Sequence, residues 1–266
     1  MSKDAPWPAL RRFTEARIGL GRAGSALPIK EVLSFAMAHA QARDAVKTPI
    51  KWSPLKAALG RLGLSTMRVD SAAADRDVYL RRPDLGRRLS PEARQHLTQI
   101  AGTPPDLLIL VADGLSSTGV AANAVELIAS LLPLVRKSGW SLGPVLLASQ
   151  GRVALGDDAG EILGARAVLV LIGERPGLSS PDSLGAYLTY APRVGRKDGE
   201  RNCVSNIRRG GLGADEAAFK IHWLLREAFR RSLTGVALKD ESNFLLEGDA
   251  ARAELSEPHH SDNEKG

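Results

Sequence analysis

Three short apolar runs limit how this chain can fold more than any other feature. Asp106-Leu-Leu-Ile-Leu-Val-Ala, Pro144-Val-Leu-Leu-Ala and Ala167-Val-Leu-Val-Leu-Ile are continuous rather than alternating, and rich in branched residues. A strand with one wetted face alternates in polarity, so these runs predict strands covered on both faces, as in a parallel sheet. Between the first two, from Ser116 to Lys137, Val120, Ala124, Leu127, Leu131 and Leu134 trace one face of a helix that closes on Arg136 and Lys137. That is a βαβ crossover. Asp215 to Arg231 repeats the helical pattern, acidic at its start and basic at its end, with Ile221, Leu224, Leu225 and Ala228 facing inward. The expected class is α/β, a doubly wound, mostly parallel sheet with flanking helices.

Upstream of residue 103 the pattern changes. Residues 1–102 carry 18 Lys and Arg against 9 Asp and Glu, whereas the remainder carries 18 against 21. Residues 28–46 read as a helix, with Pro28 in its first turn and Val32, Phe35, Ala36 and His39 recurring at helical spacing. Around it the chain is broken by Arg82-Pro-Asp-Leu-Gly, and Ser90-Pro-Glu-Ala-Arg reads as a capped helix start. We therefore expect residues 1–102 to be a basic helical and extended arm that docks on a partner. Residues 103–240 form the sheet domain and 241–266 an acidic mobile tail. The arm's arginines, Arg11, Arg12, Arg17, Arg22, Arg81, Arg82, Arg87 and Arg88, alternate with prolines, glycines and acids and have no aromatic ladder among them. That pattern favours a protein partner over nucleic acid.

Other classes drop out on composition. No apolar stretch approaches the roughly eighteen residues of a spanning helix, and Met1 to Pro8 lacks the apolar centre of a secretory signal, so a cytoplasmic location without membrane contact is expected. The single Cys203 cannot form an internal disulfide, and five scattered histidines do not build a zinc site. Gly19-Leu-Gly-Arg-Ala-Gly matches a dinucleotide fingerprint in letters only. No buried strand precedes it and Pro28 delays the next helix, so it reads as a bend. Ser53-Pro-Leu-Lys lacks the partner motifs of a serine–lysine acyl transferase, and His39, His96 and His222 never fall in metal-binding spacing.

Ligands of open α/β sheets lie beyond the carboxyl ends of the strands, here Asp113-Gly-Leu-Ser-Ser, Ser149-Gln-Gly-Arg-Val and Gly173-Glu-Arg-Pro-Gly-Leu-Ser-Ser. Gly-Leu-Ser-Ser occurs twice, at Gly114 and Gly177, and each copy is expected to cap a following helix. Glu174 stands out, because a carboxylate at the end of an apolar strand needs hydrogen bonds from a ligand or from a neighbour such as Arg175. Cys203 reads as a small apolar residue, with no histidine near it in sequence to make it a nucleophile. The residues alone lead to a ligand-binding α/β domain.

Several blocks are more specific. Thr14-Glu-Ala-Arg-Ile-Gly-Leu-Gly-Arg-Ala-Gly, Ala38-His-Ala-Gln-Ala-Arg-Asp-Ala-Val, Ser71-Ala-Ala-Ala-Asp-Arg, Tyr79-Leu-Arg-Arg-Pro-Asp-Leu-Gly-Arg-Arg-Leu, Ile172-Gly-Glu-Arg-Pro-Gly-Leu-Ser-Ser-Pro-Asp-Ser-Leu-Gly and Arg201-Asn-Cys-Val-Ser-Asn-Ile-Arg resemble the small subunit of ethanolamine ammonia-lyase, in order, over about residues 10–240. The resemblance implies an N-terminal helical arm and a Rossmann-like domain. It also implies a large (β/α)-barrel partner subunit in a hetero-oligomer, adenosylcobalamin as cofactor, and conversion of ethanolamine to acetaldehyde and ammonia. It assigns cobalamin contacts to Val153, Glu174 and Cys203, with no catalytic acid, base or metal ligand in this chain. No histidine follows an aspartate at the D-x-H-x-x-G spacing, so the resemblance implies base-on cofactor. Relatives in microcompartments carry longer N-terminal extensions, and enclosure of this chain in such a shell stays an open expectation. The rival readings are a nucleotide- or nucleic-acid-binding module and a stand-alone Cys or Ser hydrolase.

Overall fold

A computed structural model describes residues 7–243. In chain order it contains α1 (Trp7–Leu10), α2 (Ile29–Lys47), α3 (Trp52–Arg61), β1 (Thr66–Asp70), α4 (Arg76–Arg81), α5 (Pro91–Ile100) and β2 (Leu107–Ala112). There follow α6 (Ser117–Lys137), β3 (Val145–Ser149), α7 (Leu155–Ile162), β4 (Ala167–Gly173), β5 (Leu184–Tyr190), β6 (Asn202–Ile207) and α8 (Ala214–Arg231). The strands form one sheet in the order β1-β3-β2-β4-β5-β6. The first four run parallel, and β5 and β6 add an antiparallel edge, with Ile172 opposite Gly185 and Tyr187 opposite Cys203.

The apolar runs are continuous because alternate residues serve two cores. Leu107, Ile109 and Val111 pack with α3, α6 and α8 on one face. Leu108, Leu110 and Ala112 pack with α5 and α7 on the other. Helix α6 is long and apolar enough to cross a membrane by length and composition, contrary to the expectation that no such stretch exists, but half of its most apolar window is buried inside the protein. It is a core helix wedged between the sheet and α8.

The sheet begins earlier than the expected boundary at residue 102. Thr66–Asp70 is an edge strand parallel to β3, and its alternating Met-Arg-Val-Asp pattern shows only one fully buried residue, Val69. Leu55 and Leu59 of α3 and Leu97 of α5 are buried in the two cores. Asp158 at the start of α7 accepts from Leu89 N at 2.9 Å and pairs with Arg94. Residues from about 50 onward thus pack on the sheet. In α2 the residues that recur at helical spacing, Val32, Phe35, Ala36 and His39, are not the buried ones. Val32 and Phe35 are about half exposed, and the close contacts are made by Ala38 and Ala45. The Gly19-Leu-Gly-Arg-Ala-Gly segment is a bend, with Gly19, Gly21 and Gly24 at positive φ. Of the expected tail, residues 244–266 lie outside the described residues, and Ser242 is fully buried against Lys220.

Arg201 locks the antiparallel edge to the rest. Its guanidinium makes two 2.6 Å bonds to Asp157 and one of 2.9 Å to Thr189 Oγ1, and both charged side chains are 3% exposed or less. Removing one partner of such a pair strands the other charge in low dielectric. Arg201→Leu is expected to lower unfolding stability by about 3–5 kcal/mol, read as a shift in the urea midpoint. A change under about 0.5 kcal/mol would assign the pair no structural role.

Candidate functional site

The carboxyl ends of β2 and β4 define the site. The β2–β3 crossover, α6, lies on one face of the sheet, and the β3–β4 crossover, α7, lies on the other. The loops that leave the neighbouring strands β2 and β3 therefore part to opposite faces, and this topological switch point, where open sheets bind ligands, opens beside the end of β4. A cavity of about 400 Å³ opens there, lined by Tyr79, Arg152, Val153, Glu174, Arg175 and Tyr187 among others.

Glycines let the loops close around it. A Cβ on Gly173 would meet the Ser116 carbonyl oxygen at 1.9 Å, and one on Gly114, already at φ +58°, would meet the Gly173 carbonyl at 2.3 Å. Leu115 N donates to Gly173 O at 2.9 Å across this contact. Ser116 Oγ caps α6 by accepting from Gly119 N at 3.1 Å and donates to Pro181 O at 2.7 Å. The first Gly-Leu-Ser-Ser thus caps a helix as expected. The second, at Gly177, does not, because it leads through a turn into β5, and no helix follows it.

Glu174 projects from the end of β4. Its Oε2 accepts from Ser183 Oγ and from Asn206 N at 3.2 Å, so its donors are these and not Arg175, which is exposed. Oε1 has no hydrogen-bond partner among the described residues. It lies 2.9 Å from where a Cβ on Gly185 would stand. With glycine at 185 the carboxylate rests across β5, and a Cβ there would make it shift. Val153, in the β3–α7 loop, lines the same cavity. Cys203 lies one strand further out, opposite Tyr187, so it borders the cavity through the tyrosine in its wall. Although Cys203 is exposed as a residue, protein packed around its thiol pushes the pKa up; the Tyr187 hydroxyl lowers it and the Glu174 charge raises it again. The Tyr187 hydroxyl is likewise pushed up by burial and by Cys203 and Glu174.

Sequence reasoning missed the opposite wall. Tyr79 is fully buried on α4, its hydroxyl donating to Gly151 O at 3.3 Å. The guanidiniums of Arg152 and Arg76 lie over its ring at 4.2 and 4.8 Å. Burial raises its pKa to about 12, against the pull of both arginines. Asp113, at the end of β2, is buried and accepts from Gly151 N at 3.3 Å, and burial holds its carboxyl above the usual range. The one signal for this wall was the place of Arg152 beside Val153 in a strand-end loop, since nothing in residues 71–88 says that α4 folds back over the strand ends. Among the described residues no cluster of His, Cys, Asp and Glu could hold a metal ion.

Fold and site together define an α/β domain whose cavity sets the Glu174 carboxylate on one wall against the Arg152 guanidinium on the other. The sequence profile of the ethanolamine ammonia-lyase light chain (EutC) matches residues 4–239. Curated relatives named ethanolamine ammonia-lyase small subunit include those of Xanthomonas campestris pv. campestris (56% identical over 249 residues, 92% of this chain and 91% of the relative) and Rhodopseudomonas palustris strain BisA53 (54% over 249 residues, 94% and 95%). That of Bradyrhizobium diazoefficiens is 57% identical over 234 residues, 88% of this chain and 90% of the relative. The chain belongs to the ethanolamine ammonia-lyase light chain family, a family of lyase subunits.

The raised thiol pKa makes Cys203 a slow nucleophile near neutrality. Its alkylation by iodoacetamide at pH 8 should lag behind that of free cysteine and still be rising above pH 9. A rate that levels off below pH 8 would contradict this.

Proposed function

We propose that the chain completes an adenosylcobalamin site shared with a large barrel subunit, forming a hetero-oligomeric lyase that converts ethanolamine to acetaldehyde and ammonia. When bound, the cofactor supplies a cobalt–carbon bond that breaks homolytically and so begins the reaction. This chain's part is to bind, orient and exclude water. The observation that carries the reading is the free Oε1 of Glu174, an acceptor-only oxygen set in a glycine cradle at the switch point. The carboxamide-bearing rim of a corrin offers the donors that such an oxygen needs. Val153 gives the rim an apolar contact, and Cys203 supports the wall through Tyr187. A cavity of about 400 Å³ takes one edge of so large a cofactor and leaves the rest to a second surface. Base-on binding of the cofactor and cytoplasmic residence belong to this reading, and cofractionation with shell proteins would decide enclosure in a microcompartment.

The nucleic-acid alternative is weakened by what the basic residues do. Arg11 donates to Ile18 O and Gly19 O, Arg76 to Val46 O, Arg82 pairs with Asp84, and Arg94 pairs with Asp158. Docking to a protein suits the arm better. Ile29, Leu33 and Met37 stand at i, i+4 and i+8 of α2, each more than 60% exposed, and make an apolar stripe that we assign to the large subunit.

Three measurements test this. The isolated chain should show no ethanolamine deamination, and the co-expressed complex should. Within that complex Glu174→Gln should raise the dissociation constant for adenosylcobalamin roughly ten- to hundredfold, the loss of about 1–3 kcal/mol from a charge-assisted bond. Unchanged affinity in an intact complex would leave Glu174 a purely structural role. Leu33→Glu should weaken assembly with the large subunit by about 2 kcal/mol, near thirtyfold in Kd. Sedimentation would show it, and wild-type assembly would free α2 of a docking role.

A further inference from the structure

We propose that Arg152 is the donor counterpart of Glu174, taking an acceptor oxygen on the rim of the same ligand, either a carboxamide carbonyl or a phosphodiester oxygen. The inference rests on the cobalamin reading above and adds a contact to it.

A guanidinium has five N–H donors and no acceptor. Among the described residues, Arg152 uses one of them, Nη2 to Tyr79 O at 3.3 Å. Its Nε is buried without a partner, and no carboxylate lies within ion-pair distance. The contrast within the same fold is plain. Arg76 Nη2 and Arg201 Nε are also buried without a partner, but the guanidinium of Arg201 is neutralised by Asp157 and that of Arg94 by Asp158, while Arg76, on the same Tyr79 ring, donates to Val46 O at 2.8 Å and to Gly114 O at 2.7 Å.

Arg152 is held in place by other means. Its backbone N donates to Gly86 O at 2.8 Å, and its Cζ lies over the Tyr79 ring, 4.2 Å from the centroid. A Cβ on Gly86 would meet Arg152 Cγ at 2.9 Å and Gln150 O at 3.0 Å, so a glycine there makes room for the stem. Stacking and packing fix the side chain while its hydrogen-bonding capacity stays open. An under-bonded guanidinium in a cavity wall is costly unless a ligand brings acceptors.

The other wall has the opposite need. Glu174 offers only acceptors, and its Oε1 is free. Yet Glu174 and Arg152 do not pair, so the two unmet demands face one cavity. A free anion would be repelled by Glu174, whereas a neutral group with both an N–H and a C=O answers both walls. A ligand rim of several such groups spans them, and a phosphodiester on the same rim would suit the Arg152 side alone.

The test uses the intact complex with its large subunit and equilibrium dialysis read by corrin absorbance. The probes are cyanocobalamin and dicyanocobinamide, which lacks the nucleotide phosphodiester. Arg152→Met should raise the Kd for cyanocobalamin roughly ten- to hundredfold. Arg152→Lys keeps stem and charge but not the planar fork, and should lose less. An equal penalty with cobinamide assigns the oxygen to a carboxamide, and a penalty that disappears with cobinamide assigns it to the phosphodiester. If Arg152→Met does not assemble, Arg152→Lys carries the test. Wild-type cyanocobalamin affinity in an assembled Arg152 variant overturns the inference and leaves the cofactor reading standing. A wild-type complex that binds neither corrin overturns both.

Discussion

The end of β4 and the loop after β2 meet at a distance only glycine permits, and the candidate site is arranged around that contact. The Cα of Gly173 stands so near the Ser116 carbonyl that one added methyl would have no place. Once it is closed, the Leu115 amide reaches Gly173 O, and the Ser116 hydroxyl both caps α6 and holds the β4–β5 connection at Pro181. The direction in which Glu174 leaves the sheet follows from this. So does the position of β5, whose Gly185 must lie beneath the carboxylate. Close packing makes such a junction all-or-none, since interiors do not yield by fractions of a methyl group.

The sheet is covered unevenly. Leu184, Ala186 and Leu188 of β5 turn into the core beneath α6 and α8. On the opposite face Tyr187 is only partly covered, and Cys203 and Ser205 of β6 are exposed. The layer is complete over β2 and β4 and unfinished over the antiparallel edge, where the cavity opens. A domain that leaves one side of its site without a wall is suited to share that site with another chain. The division of labour in the proposed function follows from this asymmetry.

Much of the fold was legible because burial on both faces leaves a mark in composition. The runs at 107–112, 145–148 and 167–172 are strands, and α6 and α8 lie within a residue or two of their amphipathic patterns. Edge strand β1 escaped because half of its side chains face water, so Thr-Met-Arg-Val-Asp carries little signal. Helix α2 was legible as a helix but not in its orientation, since small residues make its close contacts and large ones are left outside. Glu174 could be picked out by position, a charge at the end of an apolar strand. Tyr79 could not, because its role depends on α4 folding back some seventy residues' distance in sequence onto Gly151 and Arg152, and no local pattern encodes that contact.

Helix α6 carries an implication for how the chain is made. Its apolar faces are covered by the sheet on one side and by α8 on the other, and α8 ends at Arg231. During synthesis at about 5–20 residues per second, the ribosome exposes this membrane-grade helix for about 5 to 20 s before the segment that shields it exists. Through that interval the nascent chain presents the sort of surface that chaperones and membrane-targeting factors recognise. Its fate in the cell is therefore open to competition between folding and capture well before any partner subunit is met.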